Sequence, residues 1–426
     1  MNVFASIILW TSYIISLYFT IFWLIVFLDA KPRFLKEEKE KRLLNKFPNV
    51  SVLIPGYNEE KTISKTIHSV LNLDYPKNKL QIIVINDGIK DKTKEVVEEI
   101  IRKNKERDII LINQKNKGKA AALNNALKIT KGEFFSCLDA DSTVDKKTLK
   151  KMIYLYQKED DKDLVIVTPA MKVNKPKTLI QKLQWLEYLV AMFVARLMSQ
   201  LDCIYVAPGP FSLYRAKTIK KLGGFSEDNL TEDMEIAYRV QTHDYKIRQC
   251  FDAYVHTVAP QTFHQLYKQR NRWFKGGILN VFLYRNMFMN KKFGDFGLVQ
   301  MSINMFNFFL AISAISFFFY YAILPILNNI HEMWLVKFDF LPYLKTFFLN
   351  LNFNILSIDL TKTFILILLF SVFLVMFILS HKNANERVKK HGFLYMLPYF
   401  LFYYVGLSFI AVIVIGELII GKKQKW

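Results

Sequence analysis

Hydrophobic and polar positions divide the chain into three zones. Val3 to Leu28 carries no charged residue across 26 positions, which is about 39 Å of helix at 1.5 Å per residue and more than a roughly 30 Å hydrocarbon core requires. The run is too long for the apolar core of a signal peptide, and no small-residue cleavage site follows, so it reads as a retained anchor. In the middle zone, short apolar runs alternate with helical patterns. Val50 to Ile54 predicts a strand that ends in PGYNEE and leads into a helix reaching about Leu71, and Leu80 to Ile85 predicts a second strand with a helix through about Lys103. Ile109 to Ile112 is a third strand, followed by NQKNKGKAAALNNALKIT, a loop entering an Ala-rich helix, and then by the strand Phe134 to Leu138. Near-continuous apolar strands separated by helices predict a parallel, doubly wound α/β sheet with right-handed crossovers. Thr178 to Gln200 sets Trp185, Leu186, Leu189, Phe193 and Leu197 on or near one helical face, to be packed on the domain or laid at a membrane surface.

In the third zone, Leu298 to about Leu324, Thr363 to Ser380 and Phe393 to Ile420 read as membrane spans. Residues 335–360 are apolar but interrupted by Lys337, Asp339, Pro342 and Lys345, and 284–297 has the character of an interfacial amphipathic segment. Three spans would leave the GKKQKW tail outside; four would leave it inside, with HKNANERVKKH outside. The expected divisions are an anchor at 1–30, an α/β domain at 31–283, and an interfacial segment with membrane helices at 284–426.

Charge orients this arrangement. The 58 Lys and Arg against 37 Asp and Glu give a formal charge of +21, and the charges crowd residues 31–292. KPRFLKEEKEKRLLNK, directly after the anchor, is rich in Lys and Arg, so the positive-inside rule puts the large domain in the cytoplasm. A positive surface suits anionic lipid headgroups and an anionic substrate; without a nucleic-acid-binding module, nucleic acid is not expected as a partner. Cys137, Cys203 and Cys250 have no paired spacing and read as core thiols, and His68, His243, His256 and His264 lack metal-ligand spacing.

The candidate chemistry lies at the strand ends. In a parallel sheet Glu59, Asp87, Asp139 and Asp141 would line one cleft. Asp139 and Asp141, one residue apart in DAD, can hold a hard divalent cation against a diphosphate, although an acidic turn would look the same. Neither G-x-G-x-x-G nor G-x-x-x-x-G-K-[ST] occurs, leaving a cation to screen the phosphates; Lys119 could assist, and equally fits an ordinary residue in the first turn of a helix. VAPGPFSLYR places Gly209 between prolines, where backbone and substrate could approach closely, although a plain turn would look the same. Thr231 and Asp233, with Glu232 between them, precede a helix, and local chemistry favours capping. Gln269, Arg272 and Trp273 fall at i, i+3 and i+4, a set suited to a sugar phosphate or to an Arg/Trp membrane belt.

PGYNEE, NDG, DAD, TED and QRNRW, in this order and spacing, resemble the membrane-embedded family 2 glycosyltransferases, which include cellulose, chitin, hyaluronan and poly-N-acetylglucosamine synthases. The resemblance covers roughly residues 48–277 and the flanking membrane segments. It implies a GT-A (Rossmann-like) domain set between transmembrane helices of the plasma membrane, and inverting transfer from a nucleotide sugar, UDP-linked, to a growing polysaccharide. A lipid acceptor and a non-catalytic sensor or scaffold are the alternatives. It further implies Mg2+ or Mn2+ on Asp139 and Asp141, with Asp141 the more direct ligand, and Asp233 as general base beside Glu232. Pro55, Tyr57, Glu59, Asp87, Lys119 and Asp139 would meet the donor nucleotide, and Gly209, Gln269, Arg272 and Trp273 the acceptor and leaving diphosphate. Two positions depart from the family pattern: Asn86 stands where an acidic residue is usual, and Ile89 where Ser is.

Overall fold

A computed structural model describes residues 3–40, 44–88, 91–325, 327–328, 335, 359–392 and 394–422. Ile89, residues 336–358 of the interrupted apolar stretch and residues 423–426 of the tail lie outside the described residues.

The chain opens with α1 (Val3–Lys39), which runs well past Leu28 into the charged stretch. An α/β unit follows. It contains β1 (Val50–Gly56), α2 (Ile63–Leu71), β2 (Leu80–Asn86), α3 (Thr93–Lys103), β3 (Asp108–Asn113), α4 (Lys119–Ile129), β4 (Phe134–Cys137), β5 (Thr143–Val144) and α5 (Thr148–Glu159). It continues with β6 (Leu164–Val173), α6 (Leu179–Ser199), β7 (Leu213–Arg215), α7 (Ala216–Lys221), α8 (Glu232–Thr242), β8 (Lys246–Thr257) and α9 (Phe263–Leu283). The strands form one sheet in the order β3-β2-β1-β4-β7-β6-β8-β5. As expected, β1 to β4 pair in parallel. The sheet as a whole is nevertheless mixed, because β7 enters between β4 and β6 antiparallel to both.

Alternate residues of the central strands feed opposite layers. Val52, Ile54, Ile82 and Val84 pack with Ile63 and Ile67 of α2 and Val97 of α3. Leu53, Ile83 and Ile85 pack with Ala122, Leu123 and Ala126 of α4 and Ile236 of α8. Burying each such aliphatic side chain contributes roughly 1.5–3 kcal/mol. Pro55 is tolerated in β1 because pairing with β4 stops at Leu53, so its missing N–H breaks no rung there.

The predicted helix at Thr178–Gln200 is α6, started by a capping box in which Thr178 and Gln181 bond reciprocally. Its apolar face packs both on β6 and on membrane helices. Trp185, Leu186 and Leu189 cluster with Tyr399 and Tyr403, and Phe193 and Leu197 with Val26 and Ala30 of α1. Arg196 of α6 lies between the rings of Phe34 and Phe251, at 3.8 and 3.6 Å, and donates to Glu37 Oε2 at 3.0 Å. Residues 284–297 form short turns, not one helix, and tuck Met287 and Phe296 beneath Tyr238. Beyond them run α10 (Met301–Phe318), α11 (Leu360–Asn383) and α12 (Tyr404–Ile419). Among the described residues four helices are long and apolar enough to cross a membrane: Ser6–Lys39, Phe296–Tyr321, Leu360–Asn383 and Met396–Ile419. The protein is a multi-pass membrane protein.

Candidate active site

The site is assembled at the C-terminal ends of β1, β2 and β4. Beyond β4 the chain turns through Asp139 and Asp141, and the carboxylate of Asp139 meets the ammonium of Lys119, with Nζ to Oδ1 at 2.6 Å. The same ammonium lies 3.1 Å from Glu232 Oε1. Burial opposes its charge, but Asp139, Glu232 and Asp233 together hold it well above the ordinary lysine range.

Lys119 is placed by its loop. It is the first residue of α4, preceded by Gly118 in a left-handed conformation (φ +88°) that a side chain would strain. Asp87 clamps this loop: Oδ1 accepts from Gln114 Nε2 at 2.8 Å and the Lys117 amide at 3.0 Å, and Oδ2 accepts from the Gly118 amide at 3.0 Å. Gln114 has no local sequence signal for this role, whereas Gly118, directly before a helix, is a legible cue. Asn86 donates to Asn113 at 3.1 Å, while its buried Oδ1 has no partner. Tyr57 is exposed, its ring lying over Gly88, where an added Cβ would come within 2.6 Å.

Gly209 closes one side of the cluster. A Cβ there would lie 2.6 Å from Lys119 Nζ and 3.2 Å from Asp139 Oδ2. Its loop threads between β4 and α8, with the Ala207 amide donating to the Asp233 carbonyl at 3.1 Å and the Phe211 amide to the Cys137 carbonyl.

Asp233 lies in the first turn of α8. Burial first, and then the adjacent Glu232, push its carboxyl up to about 6, with Lys119 and Arg272 opposing the shift. Asp141 is likewise pushed up to about 6, by burial and then by Asp139, with Glu59 adding to the effect. The capping expected of Thr231 is not seen. It occupies the N-cap position, but its hydroxyl donates to Asn229 Oδ1 at 3.4 Å and accepts from Asn280 Nδ2 at 3.0 Å. The Asp233 carboxylate accepts from the Met234 amide at 2.9 Å.

The QRNRW segment lies on α9. Arg272 is within electrostatic reach of Asp233, and Gln269 presents a buried Oε1 that has no partner. Trp273 is turned into an apolar cluster with Tyr188 and Trp185, and Arg270 stacks on it at 4.3 Å. Lys119, Asp139, Asp141, Glu59, Gly209, Glu232, Asp233 and Arg272 are thus brought to one place, whereas Asp87 acts on the loop that delivers Lys119. Among the described residues no three His, Cys, Asp or Glu side chains are arranged to hold a metal. Asp139 and Asp141 are the two carboxylates that could hold a cation here, and two is the usual protein share for a Mg2+ ion that keeps waters and substrate phosphates as its other ligands.

Residues 51–223 match glycosyl transferase family 2, and the chain belongs to that family. Two similar relatives are poly-beta-1,6-N-acetyl-D-glucosamine synthases. The Staphylococcus epidermidis protein is 33% identical over 251 residues, 57% of this chain and 60% of that one. That of Staphylococcus aureus strain COL is 30% identical over 286 residues, 65% of this chain and 67% of the relative. The chain thus spans under two thirds of the length of the S. epidermidis protein it matches. Among solved structures, a mannosyltransferase from Pyrobaculum calidifontis in complex with GDP-Man and Mn2+ is similar in fold, with a TM-score of 0.57 and 16% identity, covering 97% of this chain and 100% of that one. The fold is a GT-A-like mixed sheet flanked by long apolar helices.

Proposed function

We propose that the protein transfers a sugar, with inversion, from a nucleotide-sugar donor to the end of a growing polysaccharide, and that this donor is UDP-linked. The observation that carries this reading is the cluster of Asp139, Asp141, Glu232 and Asp233 around Lys119, roofed by Gly209. The similarity to poly-beta-1,6-N-acetyl-D-glucosamine synthases supports a polymer of N-acetylglucosamine as the product.

In this reading Asp233 accepts the proton of the acceptor hydroxyl as its oxygen attacks the anomeric carbon. The new C–O bond forms on one face while the bond to the phosphate oxygen breaks on the other, and the nucleoside diphosphate leaves with the electron pair. A carboxyl raised to about 6 is a better base than an ordinary aspartate yet remains ionised at neutral pH. Lys119 and Arg272 are the cations placed to face charge growing on the diphosphate, where a positioned charge acts most strongly. Asp139 and Asp141 would hold a Mg2+ or Mn2+ ion, which would supply further screening of the phosphates. Asp87, Pro55, Tyr57 and Glu59 border the donor's nucleotide, with Asp87 acting through the 114–118 loop. Gln269 and Arg272 face the acceptor end, and Trp273 supports them from behind. The basic stretch that begins in the last turns of α1 supports a catalytic domain on the cytoplasmic side of the plasma membrane, with the polymer passed through the membrane helices.

The test is nucleotide release from a panel of sugar nucleotides by purified protein with Mg2+ or Mn2+, followed from pH 5 to 8. Asp233 and Asp141 must both be ionised, so release should rise with pH through a midpoint near 6. More cation should move that midpoint down, because a cation competes with the proton on Asp141. A flat profile across this range, or release falling as pH rises through 6, would contradict the assignment.

A further inference from the structure

Helix α9 has two polar faces, and only one of them is used by the reaction proposed above. Toward the acidic cluster it sets Gly276 against Thr231, where a Cβ would lie 2.4 Å from the hydroxyl, and carries Arg272 within electrostatic reach of Asp233. On its other side Arg270 Nη2 donates to Glu187 Oε2 of α6 at 2.6 Å, and the Tyr403 hydroxyl donates to the same oxygen at 2.7 Å. One turn further along, Lys275 Nζ and Asn271 Nδ2 both donate to Glu417 Oε2 of α12, at 2.9 and 3.0 Å. Arg270 and Lys275 are only 5% and 3% exposed in their side chains, and Glu187 and Glu417 only 18% and 13%. Between these pairs runs an apolar seam of Phe274 and Ile278 against Ile410 and Val414.

An apolar seam by itself tolerates sliding and rotation. A buried charge does not, because moving away from its partner leaves it unpaired in a poorly solvated place. Two such pairs, about one helical turn apart, fix both the register and the rotation of α9. The residues that face the reaction are on the same rigid helix, so their placement is set from the membrane side.

We propose that Glu187 and Glu417 are positioning residues for sugar transfer: from α6 and α12 they fix the rotation of α9 and so keep Arg272 on the side of the helix that faces the acidic cluster. This rests on the transferase reading.

The test uses the full chain in detergent, comparing Glu187→Gln, Glu417→Gln, Glu417→Lys and the pair Glu417→Lys with Lys275→Glu. Each Gln variant should lower kcat roughly 10- to 100-fold, as expected for small misplacements of a reacting group, with donor KM changed less than about threefold. The acid limb of the pH profile should also move to higher pH, because Arg272 then opposes the Asp233 shift less. The charge-exchanged pair should recover much of what Glu417→Lys loses, which keeps the test sound if a Gln variant misfolds. Unchanged kcat in folded Gln variants, an unmoved acid limb, or no recovery in the exchanged pair overturns the proposal. A wild type silent with every donor would instead count against the transferase reading. In that case hydrogen exchange of residues 265–280 decides: faster exchange in Glu417→Gln supports the clamp, and unchanged exchange overturns it.

Discussion

Asp233→Asn should reduce nucleotide release by about 10²- to 10⁴-fold, the usual contribution of a general base, while donor affinity changes little. The substitution keeps the shape and the local bond, since an Asn side-chain oxygen can still accept from the Met234 amide. It removes a charge that the site holds at a cost: Asp233 is raised by burial and by the neighbouring Glu232. The variant should therefore fold at least as stably as the wild type at neutral pH. Loss of turnover with an unchanged or higher melting temperature separates removal of a base from structural damage. Equal turnover in the variant would transfer the base role elsewhere, with Glu232 the next carboxylate in the cluster.

Removing divalent cation should be almost as severe. Chelation should bring release to background, Mg2+ or Mn2+ should restore it, and Asp141→Asn should remain inactive at cation concentrations that saturate the wild type. The physical basis is an excess of negative charge. Glu59, Asp139, Asp141, Glu232 and Asp233 face two cations, Lys119 and Arg272, and Lys119 is already shared between Asp139 and Glu232. A carboxyl whose folded value lies above its unfolded one binds more protons in the folded state. Its ionisation thus lowers stability as pH rises from the ordinary carboxylate range to about 6. Above that range a cation bound at Asp141 should raise the melting temperature, and Asp141→Asn should blunt the increase. Full activity in chelator would show that Lys119 and Arg272 suffice for the diphosphate.

The sequence made some of this legible for reasons specific to each part. The strands β1 to β4 are near-continuous apolar runs with helical patterns between them, and their parallel order follows from that alternation. The strands β5 and β7 are two and three residues long and exist only because β8 and the β4/β6 pair receive them, so no local pattern announces them. At the site, Asp139, Asp141 and Asp233 stand out because acidic residues at strand and helix ends are chemically conspicuous. Thr231 reads as a cap because propensity is local, whereas its hydroxyl bonds Asn229 and also Asn280, 49 residues away. Asp87 suggests direct contact with a ligand from its place at a strand end, and its bonds to the 114–118 loop, 27 to 31 residues on, have no local signal. The α9 clamps were the least legible: Arg270 and Glu187 are 83 residues apart, and Lys275 and Glu417 are 142 apart. Trp273, expected to face a sugar with Gln269 and Arg272, is partly buried and packs against the α6 cluster, a contact that helical spacing does not announce.

The most direct test of the central claim is the size of the product. Purified protein is incubated with cation and the sugar nucleotide that supports release, and the labelled material is separated by length after lipid extraction. A polymer that lengthens with time and stays in the aqueous residue is the expected result, with UDP-N-acetylglucosamine the expected donor. A single sugar recovered in the lipid phase, or no transfer from any sugar nucleotide, would contradict it.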